Sequence, residues 1–206
     1  MQAEQKIYKY GTTGFVEIGK NEAKKYMLMD EMYWIKEYST LMYLWGYNHS
    51  SIVRYTNGSF CTVKHPKSHE IDTYCELTFP NYDKVLTDVV MDSDQLVIQI
   101  MVDILSAIKL CHDLSIWHRD IKTANIMLDK NKRAILIDFS HAFRVRTTNL
   151  VLDKQVATFT NRAPEVFQYQ RNRTDCYNEK IDIWAIGIVL YEIISGLRIH
   201  RIIYDG

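Results

Sequence analysis

The stretch His118-Arg119-Asp120-Ile121-Lys122-Thr123-Ala124-Asn125-Ile126-Met127-Leu128 decides how this chain is read. Asp120, Lys122 and Asn125 stand close together and run into a short apolar segment. A second apolar run, Ala134 to Ile137, leads directly into Asp138. Transfer of a terminal phosphoryl group asks a protein mainly for positioning and charge neutralisation. Asp120 is suited to orient an attacking hydroxyl and accept its proton, and Lys122 to neutralise the moving group. Asn125 and Asp138 offer hard oxygen ligands of the kind Mg2+ prefers. Any one of these residues beside a turn is ordinarily a cap or turn former. Their combination at these spacings points to a site for a phosphorylated nucleotide and its metal ions.

Three more motifs follow in order: Asp138-Phe139-Ser140, Ala163-Pro164-Glu165, and Asp182-Ile183-Trp184-Ala185-Ile186-Gly187. With the opening stretch, they resemble the catalytic loop, the metal-binding triplet, the close of the activation segment and the long buried helix of eukaryotic-type serine/threonine protein kinases. The resemblance implies an α+β, two-lobed fold. Its small β-rich lobe takes in residues 1–78 and its mainly helical lobe residues 79–206, truncated after the long buried helix. It also implies ATP and Mg2+ as cofactors, with Asp120 as base, Lys122 as phosphoryl stabiliser, and Asn125 and Asp138 as metal ligands. Thr158 is then expected to hydrogen-bond Asp120 and Lys122, a pairing that marks serine or threonine substrates. Asn161 departs from the aromatic usual in that loop, and Ser140 from the usual glycine, which makes a backbone flip there harder. Asp182 is expected to accept amides of the catalytic loop, a structural role. Family members normally continue with further helices, one of which supplies an arginine partner for the position of Glu165.

Upstream the likeness is looser. Tyr8 to Ile18 resembles a glycine-rich phosphate loop in which Gly11, Gly14 and Ile18 are candidate nucleotide contacts, while Thr13 and Val16 replace glycines. Side chains there keep bare amides farther from phosphate. The family's phosphate-binding lysine has two alignments: Lys25 in Glu22-Ala23-Lys24-Lys25, or Met29 at the end of Tyr26-Met27-Leu28-Met29. Glu37 is its candidate helix partner. Cys75-Glu76-Leu77 resembles the hinge, where the backbone of Glu76 and Leu77 would meet adenine.

Residues 7–29 read as short strands and Glu31 to Leu44 as an amphipathic helix. Ile52 to Val63 and Ile71 to Leu77 read as strands around a turn containing Pro66. Asp92 and Gln95 form a candidate reciprocal cap for a helix whose expected core face is Ile98, Met101, Val102, Leu105, Ile108 and Leu110. A hairpin around Asp129 to Lys132 carries Asp138 opposite Asn125. Arg119 resembles the arginine that receives an activation-loop phosphate in many kinases, and Thr147 and Thr148 are the nearest candidate phosphorylation sites. Cys61, His65 and His69 read as an ordinary loop, since no second ligand pair lies near.

Lys plus Arg and Asp plus Glu are 25 each, so no global field favours nucleic acid or an anionic membrane. Four scattered cysteines without a Cys-x-x-Cys pair read as reduced thiols. The polar start carries no signal-peptide core, and Ile181 to Ile194 is too short to span a bilayer. The expectation is a cytoplasmic or nuclear protein that acts on a protein substrate, with a regulatory or activating protein as a further partner. The alternative is a catalytically weak or inactive kinase-like binding module regulating another kinase, which the altered glycine loop and the unsettled lysine favour.

Overall fold

The computed structural model describes residues 6–11, 14–29, 32–145, 158–166 and 177–197. The chain divides into two units. One comprises residues 1–48 and 53–81, the other residues 49–52 and 82–206.

The first unit is built on β1 (Ile7–Gly11), β2 (Gly14–Ile18), β3 (Glu22–Leu28), β4 (Asn57–Lys64) and β5 (Ile71–Pro80). They form an antiparallel sheet in the order β1-β2-β3-β5-β4. Side chains alternate across it. One face carries Phe15, Tyr26 and Tyr74, buried together with Phe15 and Tyr26 stacked 4.6 Å apart. The register places Val16 opposite Lys25 and Lys25 opposite Leu77, so these three share the other face. Helix α1 (Tyr33–Trp45) completes the unit. The first strand after α1 starts at Asn57, later than the sequence pattern implies. Ile52 instead makes an isolated parallel bridge to Leu136 and belongs to the second unit.

The second unit contains α2 (Asp94–Asp113), α3 (Lys180–Ser195) and two small sheets. One sheet joins β6 (Lys84–Val85), β8 (Ile126–Leu128) and β9 (Ala134–Leu136); the other pairs β7 (Ile116–Trp117) with β10 (Phe143–Arg144). The cap of α2 is Ser93, not Asp92: the Ser93 hydroxyl accepts from Leu96 N, while the Asp92 carboxylate takes up Lys132 Nζ at 2.8 Å.

The buried stripe of α2 also differs from the expected one. Leu96, Ile100, Asp103, Ile104, Ala107, Ile108 and Cys111 face inward, whereas Ile98, Val102 and Leu105 are exposed. The inward stripe is anchored by a charge. Asp103 accepts from Gln99 Nε2, Arg133 Nε and Ala134 N at 2.9–3.0 Å, tying α2 to the β8–β9 hairpin. This helix is long and apolar enough to cross a membrane by length and composition, but it packs on β7, β9 and α3.

Helix α3 buries Ile181, Asp182, Ala185, Ile186, Val189 and Ile193 and leaves Ile183, Trp184, Tyr191 and Ile194 exposed, so it is buried on one face only. It stops at Gly196, whose φ of 67° suits a residue without Cβ.

Candidate active site

Within the first unit, Lys25 Nζ donates to Glu37 Oε2 at 2.6 Å. The strand register explains the pairing, because β3 projects Lys25 from the face it shares with Val16 and Leu77. Of the two alignments, the one through Lys25 therefore has a charged partner. Met29 lies beyond the end of β3, half-exposed, and its carbonyl accepts from Trp34 Nε1. Lys24 points to the opposite face and pairs with Glu76 at 3.2 Å.

The glycine positions are unequal. Gly11 and Gly14 are paired in the register, and Thr13 lies outside the described residues. A Cβ on Gly14, whose φ is 149°, would stand 1.8 Å from the Tyr26 carbonyl oxygen; one on Gly11 would meet nothing closer than 3.9 Å. Ile18 is half-buried at the end of β2.

The hinge assignment is corrected. Glu76 and Leu77 lie inside β5, paired with Tyr26 and Lys25 on one side and with Ser59 and Gly58 on the other. Their main-chain groups are taken up by a central strand and are not available to adenine. The connector between the units falls later, at residues 81–82.

Within the second unit, Asp120, Lys122, Asn125 and Thr158 form one hydrogen-bonded cluster. Lys122 Nζ donates to Asp120 Oδ2 and to Thr158 Oγ1, each at 2.8 Å. Thr158 donates to Asp120 Oδ1 from its hydroxyl at 2.7 Å and from its amide at 3.0 Å. Asn125 Nδ2 donates to the Asp120 carbonyl at 2.8 Å and to its Oδ2 at 2.9 Å. Burial alone would raise the Asp120 pKa. The Lys122 ammonium, with hydrogen bonds from Lys122 and Thr158, outweighs it and holds the carboxyl below its ordinary value.

The loop owes its position to α3. Asp182, itself buried, accepts from His118 N and Arg119 N at 2.8 Å each and lies 3.0 Å from His112 Nε2. Arg119 is held with φ at 67°, and its Nε donates to the His141 carbonyl at 2.9 Å. Its Nη1 is buried with no hydrogen-bond partner among the described residues, and Thr147 and Thr148 lie outside those residues.

Asp138 follows β9, and the Ile137 amide donates to the Asn125 carbonyl at 3.0 Å. Phe139 is fully buried, its ring edge-on to His118 at 4.7 Å. Two groups here were not foreseen. The Ser140 hydroxyl donates to Asp138 Oδ1 at 2.7 Å, and the His141 ring, whose pKa burial pushes down, feels the charges of both Asp120 and Asp138. The Asp-x-Ser spacing is itself a turn signal that could have pointed to the first.

Among the described residues no three His, Cys, Asp or Glu side chains cluster as a closed metal cage. The carboxylate of Asp138 and the amide oxygen of Asn125 are donors of the hard type that Mg2+ takes. Asn125 and Asp138 are the residues that would hold it. His65 Nδ1 accepts from the amides of Lys67 and Ser68 in a tight turn.

A protein kinase domain family model matches residues 16–202. Cyclin-dependent kinase-like 1 of Caenorhabditis elegans is 36% identical over 104 residues, which are 50% of this chain and 28% of that protein. Serine/threonine-protein kinase PEPKR2 of Arabidopsis thaliana is 33% identical over 51% of this chain and 21% of its own length. Sporulation-specific protein 1 of Saccharomyces cerevisiae is 40% identical over 46% of this chain and 19% of its own. The chain thus spans about a quarter of the length of these relatives, or less. An α+β fold with a β-rich unit and a helical unit is that of a protein kinase domain. The chain belongs to the protein kinase family.

Proposed function

We propose that this domain transfers the terminal phosphoryl group of ATP, with Mg2+, to serine or threonine side chains of a protein substrate. The observation that carries this reading is the Asp120–Lys122–Thr158 triangle, closed by contacts of 2.7 and 2.8 Å.

Asp120, kept ionised by Lys122 and Thr158, orients the substrate hydroxyl and takes its proton. Lys122 already shares a proton with Asp120 Oδ2 and stands ready to neutralise charge on the group in transit. Thr158 holds both partners in register, and in the family this chain resembles a threonine so placed goes with serine or threonine substrates. Asn125 and Asp138 would bind Mg2+, which when bound neutralises phosphate charge. Lys25, braced by Glu37, serves the nucleotide phosphates, with Gly11, Gly14 and Ile18 at the glycine-rich loop. The Lys25–Glu37 pair weakens the alternative of a non-catalytic module, since the unsettled lysine was a main support for it. The remaining expectations are a cytoplasmic or nuclear setting, a regulatory protein partner and no role for nucleic acid or membrane.

The test is incorporation of labelled phosphate from ATP into a generic basic protein, followed by phosphoamino-acid analysis. Incorporation on serine or threonine that vanishes in Asp120→Asn and Asp138→Asn is expected. Equal signal in wild type and Asp120→Asn would remove the enzymatic reading.

A further inference from the structure

Asp138 has an unusual backbone for a residue with a side chain, with φ at 63° in the left-handed region. Asp tolerates that region better than most residues, but it still has to be held there. Ser140, two residues on and itself buried, does the holding. Its hydroxyl donates to Asp138 Oδ1 at 2.7 Å, and its amide approaches the same oxygen at 3.4 Å.

A serine hydroxyl has one proton and two lone pairs. With that proton on Asp138, Oγ can act towards His141 Nδ1, 3.2 Å away, only as an acceptor. The His141 carbonyl is in turn held by Arg119 Nε at 2.9 Å, and the Arg119 amide by Asp182. A continuous series of bonds therefore runs from Asp182 through Arg119, His141 and Ser140 to Asp138. A glycine at residue 140 would offer only the amide.

We propose that Ser140 is a positioning residue: its hydroxyl, oriented by His141, fixes the Asp138 carboxylate for a divalent cation before cation and nucleotide arrive. The inference rests on the phosphotransfer reading and goes beyond it, because it assigns a role to the side chain standing where the family has none. Hydrogen bonds to an ionised acceptor are stronger than neutral ones, and a pre-set carboxylate spares the cation the cost of ordering it.

The experiment is calorimetric titration of ADP into the full chain over a series of Mg2+ concentrations, for wild type, Ser140→Ala, Ser140→Thr, Ser140→Gly and Asp138→Asn. Ser140→Ala is expected to raise the Mg2+ midpoint about tenfold, the equivalent of one charged hydrogen bond. Affinity for ADP without Mg2+ should stay where it is. Ser140→Thr should restore most of the midpoint, and Ser140→Gly should be worse than Ser140→Ala, having freed the backbone as well. If Ser140→Ala does not fold, Ser140→Cys, a weak donor of similar size, must show the raised midpoint instead. An unchanged or lowered midpoint in the folded variant, with Mg2+ dependence abolished by Asp138→Asn, overturns the role of Ser140 and leaves the phosphotransfer reading standing. Mg2+ dependence that survives Asp138→Asn, or is absent from wild type, overturns both.

Discussion

Lys25 Nζ lies 2.6 Å from Glu37 Oε2, and the Glu37 side chain is only 1% exposed. The pair joins the central strand β3 to helix α1 inside the first unit. Its neighbour in sequence, Lys24, faces the other way and pairs with Glu76 in a more open setting.

Lys25→Met should therefore lower phosphotransfer by about 100-fold or more, as loss of a preorganised charge does. It should also destabilise the protein by about 3 kcal/mol, because Glu37 loses its counter-charge while staying buried. Lys24→Met should leave the rate within about twofold and stability within about 0.5 kcal/mol of wild type, as exposed substitutions do. Steady-state kinetics and urea unfolding check both; matching kinetics for the two variants would contradict the assignment.

Removing the Thr158 hydroxyl takes away a donor to Asp120 Oδ1 and an acceptor for Lys122 Nζ while leaving the backbone amide in place. Thr158→Val should lower kcat about 10- to 100-fold, in line with hydrogen bonds to charged groups. Thr158→Ser should keep most of the rate. The comparison that decides is kcat against the KM for ATP, which should hardly move.

Folding favours the ionised form of Asp120, whose pKa lies below the ordinary value of 3.8. The stability this contributes is present above the unfolded pKa and is lost as pH falls through the lower folded value. Asp120→Asn should accordingly be less stable than wild type at pH 7, and the gap should close as the solution is acidified below about pH 4. Urea midpoints across that range give the answer, and a gap that widens on acidification would contradict the sign.

Gly14→Ala forces a Cβ to within 1.8 Å of the Tyr26 oxygen at a φ of 149°. A loss of about 4 kcal/mol is expected, since the obstacle is main chain and not the end of a side chain. Gly11→Ala meets nothing within 3.9 Å and should remain within about 1 kcal/mol of wild type. Thermal unfolding of the two variants separates a steric requirement at residue 14 from a general need for glycine in this turn.

The cluster around Asp120 was readable because three of its four members come from one short stretch whose chemistry has few other uses. The β8–β9 hairpin was readable for a similar reason, its turn residues being local signals. The face of α2 was not. Apolar residues occupy nearly every side of that helix, and the buried stripe runs through Asp103, which periodicity assigns to solvent. Only the pairing of Asp103 with Arg133 and Ala134 N, thirty residues on, reverses the choice. Asp92 and Ser93 are both good capping residues, and a lysine forty positions away decided between them. The sequence pattern puts the hinge too early because the length of β5 depends on partners on both sides, which no local pattern records. At Ser140 the sequence shows the lack of a glycine, and only the structure shows its hydroxyl on Asp138 Oδ1.

Asp182, on helix α3, holds two amides of the loop that carries Asp120. The loop thus inherits its coordinates from the interior of the second unit. A small cavity cut in the buried face of α3, at Ile181 or Val189, should shift residue 120 without removing any atom of the Asp120 cluster. Turnover should then decay well before global unfolding registers the damage, which makes enzymatic rate the finer gauge of how well this hydrophobic interior is assembled.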